Sequence, residues 1–314
     1  MPSRYILKSE TMTQFESTSI PTFETYQMRQ PHPNRLMGGA YEIGLERRYS
    51  QPNYPLVTVI TVVYNAADTI AATIQSVLTQ TYGNLDFIVI DGGSTDGTLE
   101  VIRRHENRLS LWLSEPDNGI YDAMNKGISM IEDEESYILF LNADDYLADA
   151  NSIERIISRS RYEDFLYGKI ALMDEGFLVH LGHPHTKQSL AFGMAFHQAT
   201  LTKCRVFRKL GLFDTRYRLA ADYEFAVRVF SNAVTTRFVY ETVSVMRIGG
   251  ASNKHFRESF SEKKHIIIRY YTGFQRLMAL GCINCYDLPR NTIGQVLTRL
   301  GVLKYWRALK LHVK

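Results

Sequence analysis

Four short apolar runs recur along the first half of the chain, and each gives way to a polar cluster. Leu56–Val63 stops at Tyr64-Asn65, and Phe87–Ile90 stops at Asp91. Leu109–Leu113 is followed by Asp117-Asn118, and Tyr137–Leu141 runs into Asn142-Ala-Asp-Asp145. Runs this short, β-branched and apolar at successive positions are strands buried on both faces. Helical spacing fills the intervals. Ala66 to Gln80 carries Ile70, Ile74, Val77 and Leu78 on one face. The turn Gly92–Gly97 leads into a helix through His105, and Ile120–Ile131 is a third helix. Strands alternating with helices predict an α/β fold with a mostly parallel sheet flanked by helices. In such open sheets ligands bind outside the carboxyl ends of the strands. The four polar clusters therefore converge on one edge.

The rest of the chain is less regular. Residues 1–54 lack a sustained period and read as a partly irregular extension, draped on the body or disordered. The α/β domain is expected over 55–253 and a basic helical region over 254–314. Within the domain, the Gly/His-rich stretch His180–Gly193 reads as a mobile loop, and Leu219–Phe230 as a helix carrying Asp222 and Glu224. Met246–Ser252, with Gly249-Gly250, reads as a strand entering a flexible loop.

Composition narrows the class. With 45% hydrophobic and 22% charged residues, a wholly disordered or fibrous chain is excluded. No run of about 18 apolar residues predicts a membrane span, and the first twenty residues lack the apolar block of a secretory leader. Three cysteines are too few for a disulfide framework, and Cys282-Ile-Asn-Cys285 lacks the second pair a zinc site needs. A reducing, cytoplasmic setting is expected.

Charge is unevenly placed. Lys254 to the end holds 12 basic and 3 acidic residues, a net of +9 within a total of +3, so the preceding residues carry −6. Arg290–Lys314 has six basic residues, no acid, and apolar residues at helical spacing from Ile293 to Leu309. That pattern suits a helix resting on an anionic membrane surface, or one packed on the domain. Aromatic interleaving is too sparse there for nucleic-acid binding to be expected.

Several constellations carry chemistry. Asp144-Asp145 at a strand end offers hard oxygen ligands that suit Mn²⁺ or Mg²⁺; the alternative is a solvated turn. Asp91-Gly-Gly-Ser-Thr-Asp96-Gly-Thr lets backbone approach a ligand, with Asp91 able to accept from a base or ribose and Asp96 capping the next helix. It is neither a P-loop nor GxGxxG. In Glu115–Gly127, Asp122 and Lys126 stand four apart as a helical ion pair, and Asn118 can cap the helix. His197-Gln198 can contact a phosphate or acceptor, or be structural. Asp222 is a cap, a surface residue or a general base.

Taken in order, Val57–Asn65, Asp91–Thr98, Ser114–Lys126 and Leu141–Asp145 resemble the successive motifs of glycosyltransferase family 2. The resemblance implies a GT-A (Rossmann-like) fold and inverting transfer of a sugar from a nucleotide-diphosphate donor to a glycan or lipid-linked acceptor, in bacterial surface polysaccharide synthesis. It implies Tyr64, Asn65, Asp91, Asn118, Lys126 and Asp144 at the donor, and Asp145 with Asp144 at Mn²⁺ or Mg²⁺. Asp222 becomes the base, with Ala221 where the family has Glu, and His197 and Gln198 lie near the diphosphate or acceptor. Asn142 replaces the first Asp of the metal element. The implied location is cytoplasmic, peripheral at the inner face of the plasma membrane. Two other readings remain: a sugar-nucleotide pyrophosphorylase, which would want a basic phosphate loop absent at Tyr64–Ala67, and a degenerate sugar-nucleotide-binding partner.

Overall fold

The computed structural model describes residues 19–27, 29–174, 177–247 and 255–283. The second cysteine of the CxxC, the glycines at 249 and 250, and the basic stretch 290–314 lie outside them.

Four parallel strands form the half of the sheet expected from the sequence: β2 (Val57–Val63), β3 (Leu85–Asp91), β4 (Leu111–Ser114) and β5 (Tyr137–Asn142). Their order is β4-β3-β2-β5. All seven residues of β2 are buried because helices cover both faces. Alternation divides its side chains: Ile60 and Val62 join one apolar cluster, Val57, Val59 and Val63 the other. On the second face, α2 (Ile70–Leu78) buries Ile70, Ile74 and Val77. α3 (Thr98–Arg104) buries Ile102 on the same side. On the first face, α4 (Ile120–Ser129) inserts Met124 and Ile128. Gly127 is needed there, since a Cβ would come within 2.8 Å of Ile60.

Beyond β5 the sheet is mixed. β6 is Tyr146–Leu147, and α5 (Ser152–Ser158) follows it. β7 (Phe165–Asp174) pairs antiparallel with β8 (Phe177–Leu181). β9 (Thr200–Lys203) runs antiparallel between β5 and β7, whereas β10 (Thr236–Arg247) lies parallel to β7. The parallel character is thus confined to the two crossover-built parts. Parallel neighbours need a long crossover, which the helical segments between β2 and β5 supply.

His180–Gly193, expected as a mobile loop, holds some regular structure. It begins within β8 and contains α6 (Lys187–Leu190), started by a capping box of Thr186 and Ser189. His185 is 8% exposed, donates its N–H to the Tyr167 hydroxyl at 2.7 Å, and lies 3.0 Å through Nε2 from the Met194 carbonyl. The Gly and His content hid a local capping signal and an apolar strand edge.

Among the described residues before β2, two short elements pack on the body. α1 (Phe23–Gln27) buries Phe23 and Tyr26, and β1 (Leu36–Gly38) adds an antiparallel edge to β4.

Candidate active site

The strand order reverses at β2, with β3 on one side and β5 on the other. This is the switch point at which open α/β sheets bind ligands. Register aligns the strand ends: Val63 with Asp91, Asp91 with Ser114, and Val62 with Asn142.

The predicted donor residues fall into two groups. Tyr64 is 64% exposed at the end of β2, and Asn65 beside it has φ 48°. The Asn65 side-chain oxygen Oδ1 accepts the Thr95 N–H at 2.9 Å, locking the two loops together. Asn118 is exposed and caps nothing with its side chain; its backbone N–H donates to Asp122 at 3.0 Å. Asp91 and Lys126 instead turn inward. Asp91 is fully buried and accepts from the hydroxyls of Ser94 and Ser114. Lys126 donates to the Pro116 carbonyl at 2.8 Å and pairs with Glu115 at 2.9 Å, while Asp122 is 3.9 Å away. Both hold the loops that face the crevice. Gly92 lets those loops meet, since a Cβ there would lie 2.4 Å from Asp117 Oδ2. Asp96 is not the expected cap, since Gly97 holds the N-cap position of α3; Asp96 instead closes the turn before the helix, accepting the Thr98 N–H at 3.0 Å and the Ala67 N–H at 3.1 Å.

The N-terminal segment braces the same loop. Asp122 accepts from the Tyr26 hydroxyl at 2.6 Å and from Arg29 at 2.7 Å. Arg35 pairs with Glu115 at 2.6 Å. Burial would raise the Glu115 carboxyl, but hydrogen bonds and charge from Arg35 and Lys126 outweigh it and hold it down to about 2. The folded value lies below the ordinary 4.5, so this stabilisation is present above about pH 4.5 and is lost as pH falls toward 2. Glu115→Gln is expected to cost about 2 kcal/mol at neutral pH, the scale of hydrogen bonds to a charged group. Urea unfolding at neutral pH and near pH 2 checks this, with the difference vanishing at the acid end.

Asp144 and Asp145 sit at the end of β5. Thr73 of α2 fixes this turn by donating to the Ala143 and Asp145 carbonyls at 3.0 and 2.7 Å. Asp145 is 1% exposed. Burial, and then the neighbouring Asp144 charge, push its carboxyl up to about 7. Its oxygens accept from Gln198 Nε2 at 3.2 Å, Asn142 Nδ2 at 3.3 Å and the Arg247 N–H at 3.3 Å. Asn142 Oδ1 is buried with no donor. Two adjacent carboxylates, one desolvated, beside an orphaned oxygen make a pocket short of positive charge, which suits a hard divalent cation. Among the described residues no set of three His, Cys, Asp or Glu side chains groups as a metal site.

Across the crevice, α8 (Ala221–Ser231) carries Asp222 in its first turn. His197 Nδ1 lies 2.7 Å from Asp222 Oδ2. Asp222 Oδ1 accepts the Tyr121 hydroxyl and the Tyr223 N–H, both at 2.8 Å. Burial alone would raise the Asp222 carboxyl, yet the bonds and charge from His197, Tyr121 and Tyr223 hold it below its ordinary range. Tyr121 is pushed well up by burial and by Asp222, so it stays a donor. His197 Nε2 stands 3.4 Å from Asn142 Nδ2. One chain of polar contacts thus joins Tyr121, Asp222, His197, Asn142 and Asp145. Phe140, Phe213 and Phe225 line a small cavity with His197 and Asp222. Tyr121 and Thr73 were not among the residues expected at the site. Tyr121 sits inside a polar motif and Thr73 on an apolar helix face, and neither position signals a distant partner.

The model of glycosyl transferase family 2 matches residues 58–243, more than half of the chain. The chain belongs to this family. The matched residues include Tyr64, Asn65, Asp91, Asp144, Asp145, His197 and Asp222, and the protein is a glycosyltransferase. It is 32% identical over 218 residues to a PGL/p-HBAD biosynthesis glycosyltransferase of Mycobacterium bovis, covering 67% of this chain and 84% of that one. An uncharacterized glycosyltransferase of Mycobacterium tuberculosis is 31% identical over 184 residues, 55% of this chain and 68% of the relative. Among solved structures, the mannosyltransferase PcManGT of Pyrobaculum calidifontis in complex with GDP-Man and Mn²⁺ aligns with a TM-score of 0.58 and 16% identity, over 93% of this chain and 86% of that one. S. aureus TarS 1-349 in complex with UDP aligns with a TM-score of 0.55 and 16% identity, over 76% and 73%. These likenesses establish the GT-A fold.

Proposed function

We propose that this glycosyltransferase moves a sugar, with inversion, from a nucleotide-diphosphate donor to a glycan or lipid-linked acceptor in bacterial surface glycan synthesis. The observation that carries the reading is the opposition of two polar groups across the β2/β5 switch point, Asp144-Asp145 on one side and His197-Asp222 on the other. Tyr64 and Asn65, at the end of β2, are placed for the nucleotide base, Asp144 for the ribose, and Asn118 for the donor's outer edge. Asp91 and Lys126 serve the donor by shaping its loops.

Asp145, with Asp144, would hold Mn²⁺ or Mg²⁺, which when bound neutralises the charge developing on the diphosphate leaving group. The carboxylate of Asp222 supplies the basicity that removes the acceptor proton, and the acceptor oxygen attacks the anomeric carbon from the face opposite the leaving group. Gln198 keeps the Asp145 carboxylate aimed. The basic 290–314 stretch supports contact with a membrane surface. No helix among the described residues is long and apolar enough to cross a membrane.

A thermal-shift screen with UDP, GDP, dTDP and CDP, each with and without Mn²⁺ or Mg²⁺, tests the donor site. One nucleotide is expected to stabilise the protein in a metal-dependent way, by about 2.7 kcal/mol at 100 times its dissociation constant. No shift with any pair would favour the degenerate partner.

A further inference from the structure

We propose that the proton of the acceptor hydroxyl goes to Nε2 of His197, with Asp222 acting through the imidazole and not on the hydroxyl itself. The inference rests on the transfer reading above and adds the atom that receives the proton. The Asp222 side chain is 4% exposed, against 14% for His197. Both Asp222 oxygens already accept: Oδ1 from Tyr121 and Tyr223, Oδ2 from His197. An acceptor hydroxyl would have to displace one of these donors inside an apolar wall.

The imidazole has the opposite disposition. A carboxylate only accepts, so the 2.7 Å contact assigns the hydrogen to Nδ1 of His197. In the neutral ring Nε2 then carries the lone pair. Among the described residues, the hydrogen-bond neighbour of Nε2 is Asn142 Nδ2 at 3.4 Å, a contact long enough to be weak. The charged and titratable groups around the pair come from every packed element. Tyr121 of α4 faces Asp222 as a donor, and the Asp145 charge reaches His197 from the end of β5. Lys263 and Glu262 of α9 (Phe256–Tyr270) face Asp222. Glu262 is anchored by the N–H groups of Arg218 and Leu219, both at 2.9 Å.

In the step, the acceptor O–H bond breaks and its proton moves to Nε2. The oxygen pair forms the new bond to the anomeric carbon. The bond from that carbon to the diphosphate oxygen breaks, its electrons leaving with the nucleoside diphosphate. Asp222 stabilises the resulting imidazolium, which returns its proton to solvent after release. This is the division of labour in an Asp–His general-base pair.

Two measurements test this. In the full chain with ¹⁵N-labelled histidine and no ligand, His197 is expected as the Nδ1–H tautomer at mildly alkaline pH, and Asp222→Ala should abolish that preference. An Nε2–H tautomer in the unaltered protein overturns the proposal whether or not the transfer reading stands. In turnover, followed as nucleoside diphosphate release from a panel of UDP, GDP and dTDP sugars, His197→Gly should lose about 10²–10⁴-fold. Added imidazole should restore part of that rate while nucleotide-induced stabilisation stays unchanged. If His197→Gly stays within about tenfold of the unaltered enzyme, and formate restores Asp222→Gly, the carboxylate acts directly and the proposal fails.

Discussion

Asp222→Asn is expected to lower sugar transfer by about 10³–10⁴-fold, equivalent to about 4–5.5 kcal/mol of transition-state stabilisation. Metal-dependent stabilisation by the donor nucleotide should persist. The substitution keeps the size of the side chain, so the apolar wall of Phe140, Phe213 and Phe225 has nothing to collapse around. It removes the negative charge that now accepts from Tyr121, Tyr223 and His197 together. An amide can also donate to His197 Nδ1, which would move the ring hydrogen to Nε2 and leave no lone pair in the crevice. Steady-state kinetics combined with thermal shift separates the outcomes. Near-normal transfer would overturn the mechanism. Loss of transfer together with loss of nucleotide-induced stabilisation would mean the site itself had been disrupted.

The second large effect concerns the support beneath that helix. Arg228→Ala is expected to destabilise the protein by about 3–5 kcal/mol, the usual cost of leaving one member of a buried ion pair alone. Arg228 pairs with Glu224 at 2.8 Å, and the two side chains are 6% and 0% exposed. Its guanidinium also donates to the Leu210, Gly211 and Leu212 carbonyls at 2.8, 3.1 and 2.7 Å. Leu210 ends α7 (Cys204–Leu210), so this one side chain satisfies carbonyls that the helix leaves without partners. After truncation the Glu224 carboxylate would keep, as its hydrogen-bond donor among the described residues, the Tyr270 hydroxyl. Urea unfolding should show the loss, and the melting temperature should fall by roughly 10 °C. Arg228→Lys should recover only part of it, because an ammonium cannot span Glu224 and three carbonyls in fork geometry. A loss under about 1 kcal/mol would show that the network relaxes around the gap.

The α/β half of the fold was legible because its strands are buried on both faces. Such strands are mostly apolar and β-branched, so Val57–Val63 and Tyr137–Leu141 stand out without reference to anything else. Their polar termini were legible for the same reason, since Asp91 and Asp144-Asp145 interrupt runs that otherwise admit no charge. The mixed half was harder to read. β9 is four residues long and lies between β5 and β7, and which strands it joins depends on partners that both stand more than thirty residues earlier in the chain. The one-turn helix α6 was not legible because composition averages over a window, whereas the Thr186–Ser189 capping box depends on two side chains.

The site divides in the same way. Sequence alone determined the family, the strand ends that carry Tyr64, Asn65, Asp144 and Asp145, and the candidacy of Asp222, because motif order and burial are local properties of the chain. Only the tertiary structure decided that Asp91 and Lys126 face inward to organise loops, that Tyr26, Arg29 and Arg35 brace Asp122 and Glu115, and that Tyr121, Asp222 and His197 form one connected group. Tyr121 lies 101 residues before Asp222, and His197 lies 25 before it. A contact between such positions leaves no periodic trace, since each residue satisfies its own local pattern equally well with or without the partner. The physical reason is desolvation: once the packed aromatic wall excludes water from Asp222, its charge must be met by whichever donors the folded chain brings within reach.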